Sequence, residues 1–231
     1  MGALVDHWPI AGLRLTTSRL ELRWPSDDDL VALAEVAAAG IHDVDDMPFG
    51  IPWSRAPRVS WSGGVIQYHW RTRGAWAPDD WSWNPVVVFE GQVVGTQGMT
   101  GRDFVLRRTV NTGSWLGRDY QGRGIGTEMR AAVLHLAFAG LRARRAETDV
   151  WDDNAASLGV TRRLGYQPNG ERIEVSEDRG RRQVFFRLSR DDWEQQTRPE
   201  VEVDGLAPCL AQFGATERPP RTESNPPRSD R

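Results

Sequence analysis

The sequence predicts a mixed α/β (α+β) domain in which at least one pair of strands runs parallel. Three observations carry that expectation. Period-2 and period-3.6 apolar patterns both occur along the chain. They fall in the order strand and helices, a meander of strands, strand–loop–helix–strand–helix, and a closing hairpin. One helix joins two successive strands, a crossover that a parallel pair needs and an antiparallel pair does not. At 231 residues the chain suits one domain with extensions. Residues 1–193 are read as the domain, 194–214 as a short C-terminal extension, and 215–231 as a disordered tail rich in Pro, Arg and Ser.

Element by element, "LRLTTSRLELR" (13–23) alternates apolar and polar residues at Leu20–Arg23 and suits a half-buried strand. Ser26 stands three residues before Asp29, the spacing of a capping box, and the helix it opens ends at Gly40. A loop with three prolines follows, then a tryptophan-rich amphipathic segment from about Gly64 to Trp76. "NPVVVFEGQVVGTQGM" reads as a hairpin turning at Glu90-Gly91, and "TVNTGSWLG" as the next strand. Ile125, Met129, Val133, Leu136 and Ala137 then fall at helical spacing. "AETDVW" is a short strand, and Asp153 or Asn154 caps a helix that Gly165 stops. "RIEVSED" and "RQVFFRLS" make a second hairpin, turning at Arg179-Gly180.

Composition excludes several function classes. The net charge of −3 leaves no global footprint for nucleic acid. All 29 basic residues are arginine, so a phosphate-binding or Schiff-base lysine is excluded. The single cysteine, Cys209, rules out an internal disulfide and a multi-cysteine metal site. The opening residues lack a signal-peptide pattern, and no apolar run approaches the about 20 residues that span a membrane. The expectation is a soluble, cytoplasmic protein without membrane or nucleic-acid partners, and a homo-oligomer is left open.

The informative stretch is "DYQGRGIGTEMR" (119–130), where three alternate glycines run into a helix. Glycine costs a helix roughly 1 kcal/mol against alanine, so a backbone there must approach something closely, most often a phosphate. A P-loop is excluded because no Gly-Lys-Ser/Thr exists, and the dinucleotide pattern fails because Thr127 stands at its third glycine. What remains is Gln121, Gly122, Arg123, Gly124, Ile125 and Gly126 in the pattern Q/R-x-x-G-x-G/A, leading into Thr127. Free N–H groups and the positive dipole end of a helix suit a diphosphate there.

This hexad, after a strand and before a helix, resembles the acyl-CoA loop of the GNAT acyltransferases. "DNAASLGVTRRLGY" is similar to the family's later N-x-x-S/A…G-F/Y helix, and "LRLTTSRLELR" to the opening strand of its RimJ/RimL-type branch. The likeness covers about Leu13 to Ser189. It implies a mostly antiparallel sheet with a splayed parallel pair and flanking helices. The implied activity is transfer of an acetyl or succinyl group from CoA to a primary amine, on a protein or a small molecule, with no metal. The glycine loop would then hold the CoA diphosphate, the backbone of Trp115 and Leu116 its pantetheine arm, and Asn154 the same arm from the other side. Asn154 is equally read as a plain helix cap.

Many members protonate the leaving thiolate with a tyrosine seven residues after that Asn, which here is Thr161. The RimJ/RimL-type branch uses a serine three residues after it, which here is Ser157; a structural serine is the competing reading. The same branch places a basic carboxylate in the following strand, nearest here to Glu177 and Glu174; the alternating exposure of a hairpin is the competing reading of both. The loop holding His42, Asp43, Asp45, Asp46, Phe49 and Trp53 corresponds to a wall of the acceptor site. Its carboxylates attract a cationic amine, and His42 is suited to deprotonate it near neutral pH; a solvated acidic turn is the competing reading. For a succinyl carboxylate, Arg107 and Arg108 are the cation candidates, and plain surface arginines are the equal competing reading. The rival function class is a module that holds acyl-CoA without turnover. Within the enzyme class an aminoglycoside-type acceptor stays open.

Overall fold

The computed structural model describes residues 3–43, 45–55 and 58–216. A one-turn helix α1 (Leu4–His7) and a tight turn (Pro9–Gly12) lead into β1 (Arg14–Thr16) and β2 (Leu20–Arg23). The single strand predicted over this stretch is therefore a hairpin. Thr17 makes the difference: its N–H donates to Leu20 O at 2.9 Å, and its Oγ1 accepts from Leu20 N–H at 3.0 Å. A local hydroxyl competes with the extended ladder in this way.

Helix α2 (Asp27–Ala39) has the predicted capping box, with reciprocal Ser26–Asp29 bonds of 3.1 and 3.0 Å, and Gly40 at φ +119 ends it. Three aspartates in its first turn complement the helix dipole. Helix α3 (Arg58–Gly74) covers the predicted tryptophan-rich segment as far as Gly74, and Trp76 lies beyond its end. Strand β3 (Asp80–Trp83) went unpredicted because four residues flanked by turns carry little periodicity; Trp81 and Trp83 anchor it in the core. Strands β4 (Val86–Phe89) and β5 (Gln92–Arg102) turn at Glu90-Gly91 as expected.

After a one-turn helix α4 (Phe104–Arg107), β6 (Thr109–Leu116) leads to α5 (Ile125–His135), which ends in a wider turn over Leu136–Gly140. Strand β7 (Arg145–Trp151), helix α6 (Ala155–Arg163), strands β8 (Gln167–Ser176) and β9 (Arg179–Ser189), helix α7 (Arg190–Glu194) and strand β10 (Glu202–Asp204) complete the chain. The last hairpin turns at Glu177-Asp178, two residues before the predicted position. Both residues are left-handed, at φ +52 and +58, the geometry of a two-residue hairpin loop. Gly180 instead pairs with Val175 inside the ladder.

The strands form one sheet in the order β10-β1-β2-β4-β5-β6-β7-β9-β8, with β3 beside β5. Every pairing is antiparallel except β6–β7, which is parallel over only Thr109↔Arg145, Val110↔Ala146 and Asn111↔Glu147. The fold is thus the mixed, mostly antiparallel one the sequence implied. One core packs α5 against the sheet, centred on Leu22, Val94, Ile125, Val133 and Phe138. The other, on the opposite face, packs α2 and α3 through Leu30, Leu33, Val65, Val86 and Val88.

Residues 201–214 extend this sheet. Strand β10 pairs antiparallel with β1, and Phe213 and Cys209 are fully buried. Trp76 and Trp81 donate their indole N–H groups to Gln212 O (2.9 Å) and Phe213 O (3.1 Å). The predicted tail lies, from residue 217 on, outside the described residues.

Candidate active site

The site begins where β6 and β7 part. After the Asn111↔Glu147 pair the apex is closed by hydroxyls: Thr148 Oγ1 donates to Thr112 O at 2.9 Å, and Thr112 Oγ1 lies 3.2 Å from Tyr166 Oη. Beyond it the strands no longer bond to each other, leaving a strand edge available to an extended, amide-bearing ligand. The Gly117 N–H to Val94 O bond (2.9 Å) sets the alternation along β5–β6. It turns the backbone of Trp115 toward β5 and that of Thr112, Ser114 and Leu116 toward the gap. Of the predicted pair only Leu116 faces the gap, and Gln121 Nε2 already occupies its carbonyl at 3.0 Å. The residue whose backbone edge stands open is Ser114, which no sequence motif singles out.

The glycine loop follows. Gly122 and Gly124 have φ of +72 and +80, and Gly124 is the N-cap of α5. Among the described residues, the N–H groups of 122–126 have no acceptor; the first loop-to-helix bonds are Thr127 and Glu128 N–H to Gly124 O, each 3.1 Å. Five orphaned donors at a helix start fit a diphosphate. Gly126 has another role: a Cβ there would lie 3.6 Å from Val160 and 3.8 Å from Leu116, so it sits at the α5–α6 and α5–β6 packing contacts. Arg123 stacks over Phe89 at 4.8 Å, and Gln121 Nε2 also donates to Ile41 O at 2.8 Å. These two brace the loop. So does Arg19, which donates to Arg123 O (3.3 Å) and to Glu128 of α5 (2.8 Å from Nε). Nothing local in the sequence marks Arg19.

Across the gap, Asn154 caps α6 by accepting the Ser157 N–H at 3.0 Å. Ser157 is half-buried, and among the described residues its hydroxyl makes no hydrogen bond. Thr161 is fully buried: it donates to Ser157 O at 2.8 Å and accepts from Arg130 Nη1 at 3.1 Å. Its hydroxyl proton is committed to that carbonyl.

The opposite face of the split carries the predicted acceptor wall. Trp115 meets Trp53 at 5.8 Å, Trp53 meets Phe49 at 5.1 Å, and Phe49 meets His42 at 5.8 Å, an aromatic row from the strand to the loop. His42 Nδ1 lies 2.7 Å from Asp43 O and Nε2 2.7 Å from Ser54 Oγ. A carbonyl can only accept, so Nδ1 carries a proton, while at the Nε2–Ser54 contact either atom can donate. Asp43 pairs with Arg118, tying this loop to the glycine loop, while Asp45 is exposed. Arg181 grips the loop from the other side, donating to Met47 O (2.7 Å) and Asp153 (2.8 Å) with its guanidinium over Trp151.

Glu177 sits at the tip of that same hairpin, its carboxylate 3.8 Å from Arg179. Alternation on β7 reveals another carboxylate. Ala146, Thr148 and Val150 face the helices, which places Glu147 and Asp149 on the acceptor side of the floor. Partial burial raises the Asp149 carboxyl above its ordinary value, against a 2.5 Å bond from Gln183 that lowers it. The two-residue spacing in "AETDVW" was the available signal. Arg107 and Arg108, by contrast, lie at the closed start of β6 beside Arg144, a strand's length from Leu116, and do not face the split.

Among the described residues, no group of three His, Cys, Asp or Glu is placed to hold a metal, and no helix is long and apolar enough to cross a membrane. A family model for the acetyltransferase (GNAT) domain matches residues 19–167. The fold is similar to that of RimL, a ribosomal L7/L12 alpha-N-protein acetyltransferase solved with coenzyme A: TM-score 0.62 and 18% identity over 76% of this chain and 97% of that one. Mycobacterium smegmatis RimJ, solved with a CoA-disulfide, superposes at TM-score 0.61 with 19% identity over 83% and 91%. A GCN5-related N-acetyltransferase from Brucella melitensis gives 0.61 and 18% over 78% and 80%.

Proposed function

The chain belongs to the GNAT acetyltransferase family, and from that premise we propose that it transfers an acetyl or succinyl group from acyl-CoA to a primary amine, with a protein amine as the favoured acceptor. The observation that carries this reading is the pairing of a split parallel strand edge with a helix start whose amides lack acceptors. When bound, acyl-CoA supplies an acyl group already activated as a thioester. The protein must hold it, exclude water, take a proton from the amine and supply one to sulfur.

The amides of 122–126 hold the diphosphate, and the Ser114 edge and Asn154 flank the pantetheine arm. Trp115, Trp53 and Phe49 wall off water on the acceptor side. Ser157 is the acid, because its hydroxyl is uncommitted and Thr161 is not. Asp149 takes the base role ahead of Glu177: it lies on the floor of the split, and its raised pKa suits proton abstraction nearer neutral pH. His42, hydrogen-bonded to Ser54 through Nε2, offers a second proton route from the loop. The acetylation of a ribosomal protein by the RimL neighbour supports a protein acceptor.

Release of CoA thiol from acetyl-CoA and succinyl-CoA is the test, measured with peptide α-amines, lysine peptides, polyamines and aminoglycosides. Amine-dependent release supports the reading. CoA binding by calorimetry without release from any acceptor would mark a non-catalytic acyl-CoA-binding module.

A further inference from the structure

Arg130, in the second turn of α5, is 4% exposed. Its Nη1 donates to Thr161 Oγ1 at 3.1 Å and its Nη2 to Ser114 Oγ at 3.3 Å, while its Nε is buried with no hydrogen-bond partner. No carboxylate among the described residues compensates it. The titratable group that faces it is Tyr166, which burial holds above its ordinary pKa and therefore neutral; α6 presents Thr161 and β6 presents Ser114. Burial lowers the guanidinium's own pKa, yet arginine stays protonated at physiological pH. A buried, unpaired cation is costly, and a well-packed apolar side chain would serve stability better.

Its partners point to what the charge does. Ser114 owns the backbone edge that stands open at the split. Thr161 occupies the place of the tyrosine that many relatives use as acid, and its own proton is committed to Ser157 O. A fixed positive charge therefore stands 3.1 Å from the hydroxyl at the sequence position where those relatives carry a proton donor.

We propose that Arg130 provides a standing positive field at the β6–β7 split that lowers the pKa of the coenzyme A thiol bound there and so favours its departure as thiolate. This rests on the CoA-dependent reading above. Acyl transfer forms a C–N bond and breaks a C–S bond, whose electron pair stays on sulfur. The amine gives up one proton to the base, and sulfur takes one from Ser157 or water. Arg130 acts through its field and through Ser114 and Thr161, as a positioning residue.

The test titrates the thiol of bound coenzyme A by thiolate ultraviolet absorbance, in the wild type, Arg130→Lys, Arg130→Met and Arg130→Gln. Calorimetry first establishes that each protein binds CoA. A wild-type bound thiol lowered by about one unit or more is expected, the low end of what a nearby opposite charge produces. The value should return to that of free CoA in the two neutral variants and be partly kept in Arg130→Lys. A glutamine keeps polar contacts to Ser114 and Thr161, so it separates charge from architecture. Equal thiol pKa values in wild type and neutral variants overturn the proposal and leave the function standing. An unshifted thiol in the wild type overturns it even if neither neutral variant folds. A wild type that binds no CoA overturns the functional reading first, and this inference with it.

Discussion

Replacing Gly124 with valine separates the cost of bending the backbone from the cost of blocking the diphosphate. A Cβ at Gly124 would stand 3.5 Å from Arg19 Nη2, an ordinary contact, so the pocket around it does not forbid the change. The backbone does: at φ +80 a branched residue pays about 1–2 kcal/mol. Gly91, at φ +77 in the β4–β5 turn with nothing near its missing Cβ, carries the same backbone penalty outside the glycine hexad and is the control. The amides of 122–126 are orphaned donors, and displacing two charge-assisted bonds at about 1.5–3 kcal/mol each removes about 3–6 kcal/mol of CoA binding. That is at least roughly 100-fold in affinity. Urea unfolding should show a similar loss in both variants, whereas calorimetry should show the affinity loss in Gly124→Val alone. Matching CoA affinities in the two variants would refute the assignment of the diphosphate to this loop.

Ser157→Ala should lower kcat by about 10²-fold or more with little change in the KM for acyl-CoA; near-full turnover would leave Ser157 as part of the α6 cap only. Asp149 is raised in the folded state, so its ionised form is destabilising above the folded pKa. Asp149→Asn should accordingly be at least as stable as wild type at neutral pH, a difference that fades in acid, while losing the acidic limb of the kcat/KM profile. An unchanged profile would remove Asp149 from the base role. His69, buried in α3, is lowered from 6.5 to about 4 by desolvation, with Arg73 adding to the shift. The unfolded chain therefore binds the proton first, so the stability this histidine contributes is complete above its unfolded value and is lost as pH falls from about 6.5 to about 4. At 1.36 kcal/mol per unit that is about 3 kcal/mol. Denaturant melts of wild type and His69→Leu should diverge by that order across this window, and parallel curves would contradict it.

Signals confined to a few neighbouring residues are legible in the amino-acid order alone. The Ser26–Asp29 box, the Glu90-Gly91 turn and the glycine hexad each depend on contacts within about four residues, so spacing alone defines them, and it narrows the α6 cap to Asp153 or Asn154. The strand–loop–helix–strand order was enough to require a parallel pair, because a helical crossover leaves the next strand running the same way. Tertiary contacts decided the rest. Strand β3 and the 201–214 segment have little pattern of their own and exist through Trp76, Trp81 and Phe213, which meet across more than 130 positions of sequence. Which face of β6 meets the gap depended on a register set by one bond to Val94, and this moved the open edge from Trp115 to Ser114. Asp149 became a base candidate, and Arg107 and Arg108 ceased to be donor contacts, once the split had a direction. Arg130 reads in the sequence as one more arginine on a helix. Only the packing of α5, α6 and β6 around it leaves its charge buried and, among the described residues, without a carboxylate partner, because desolvation is a property of surroundings that no local spacing encodes.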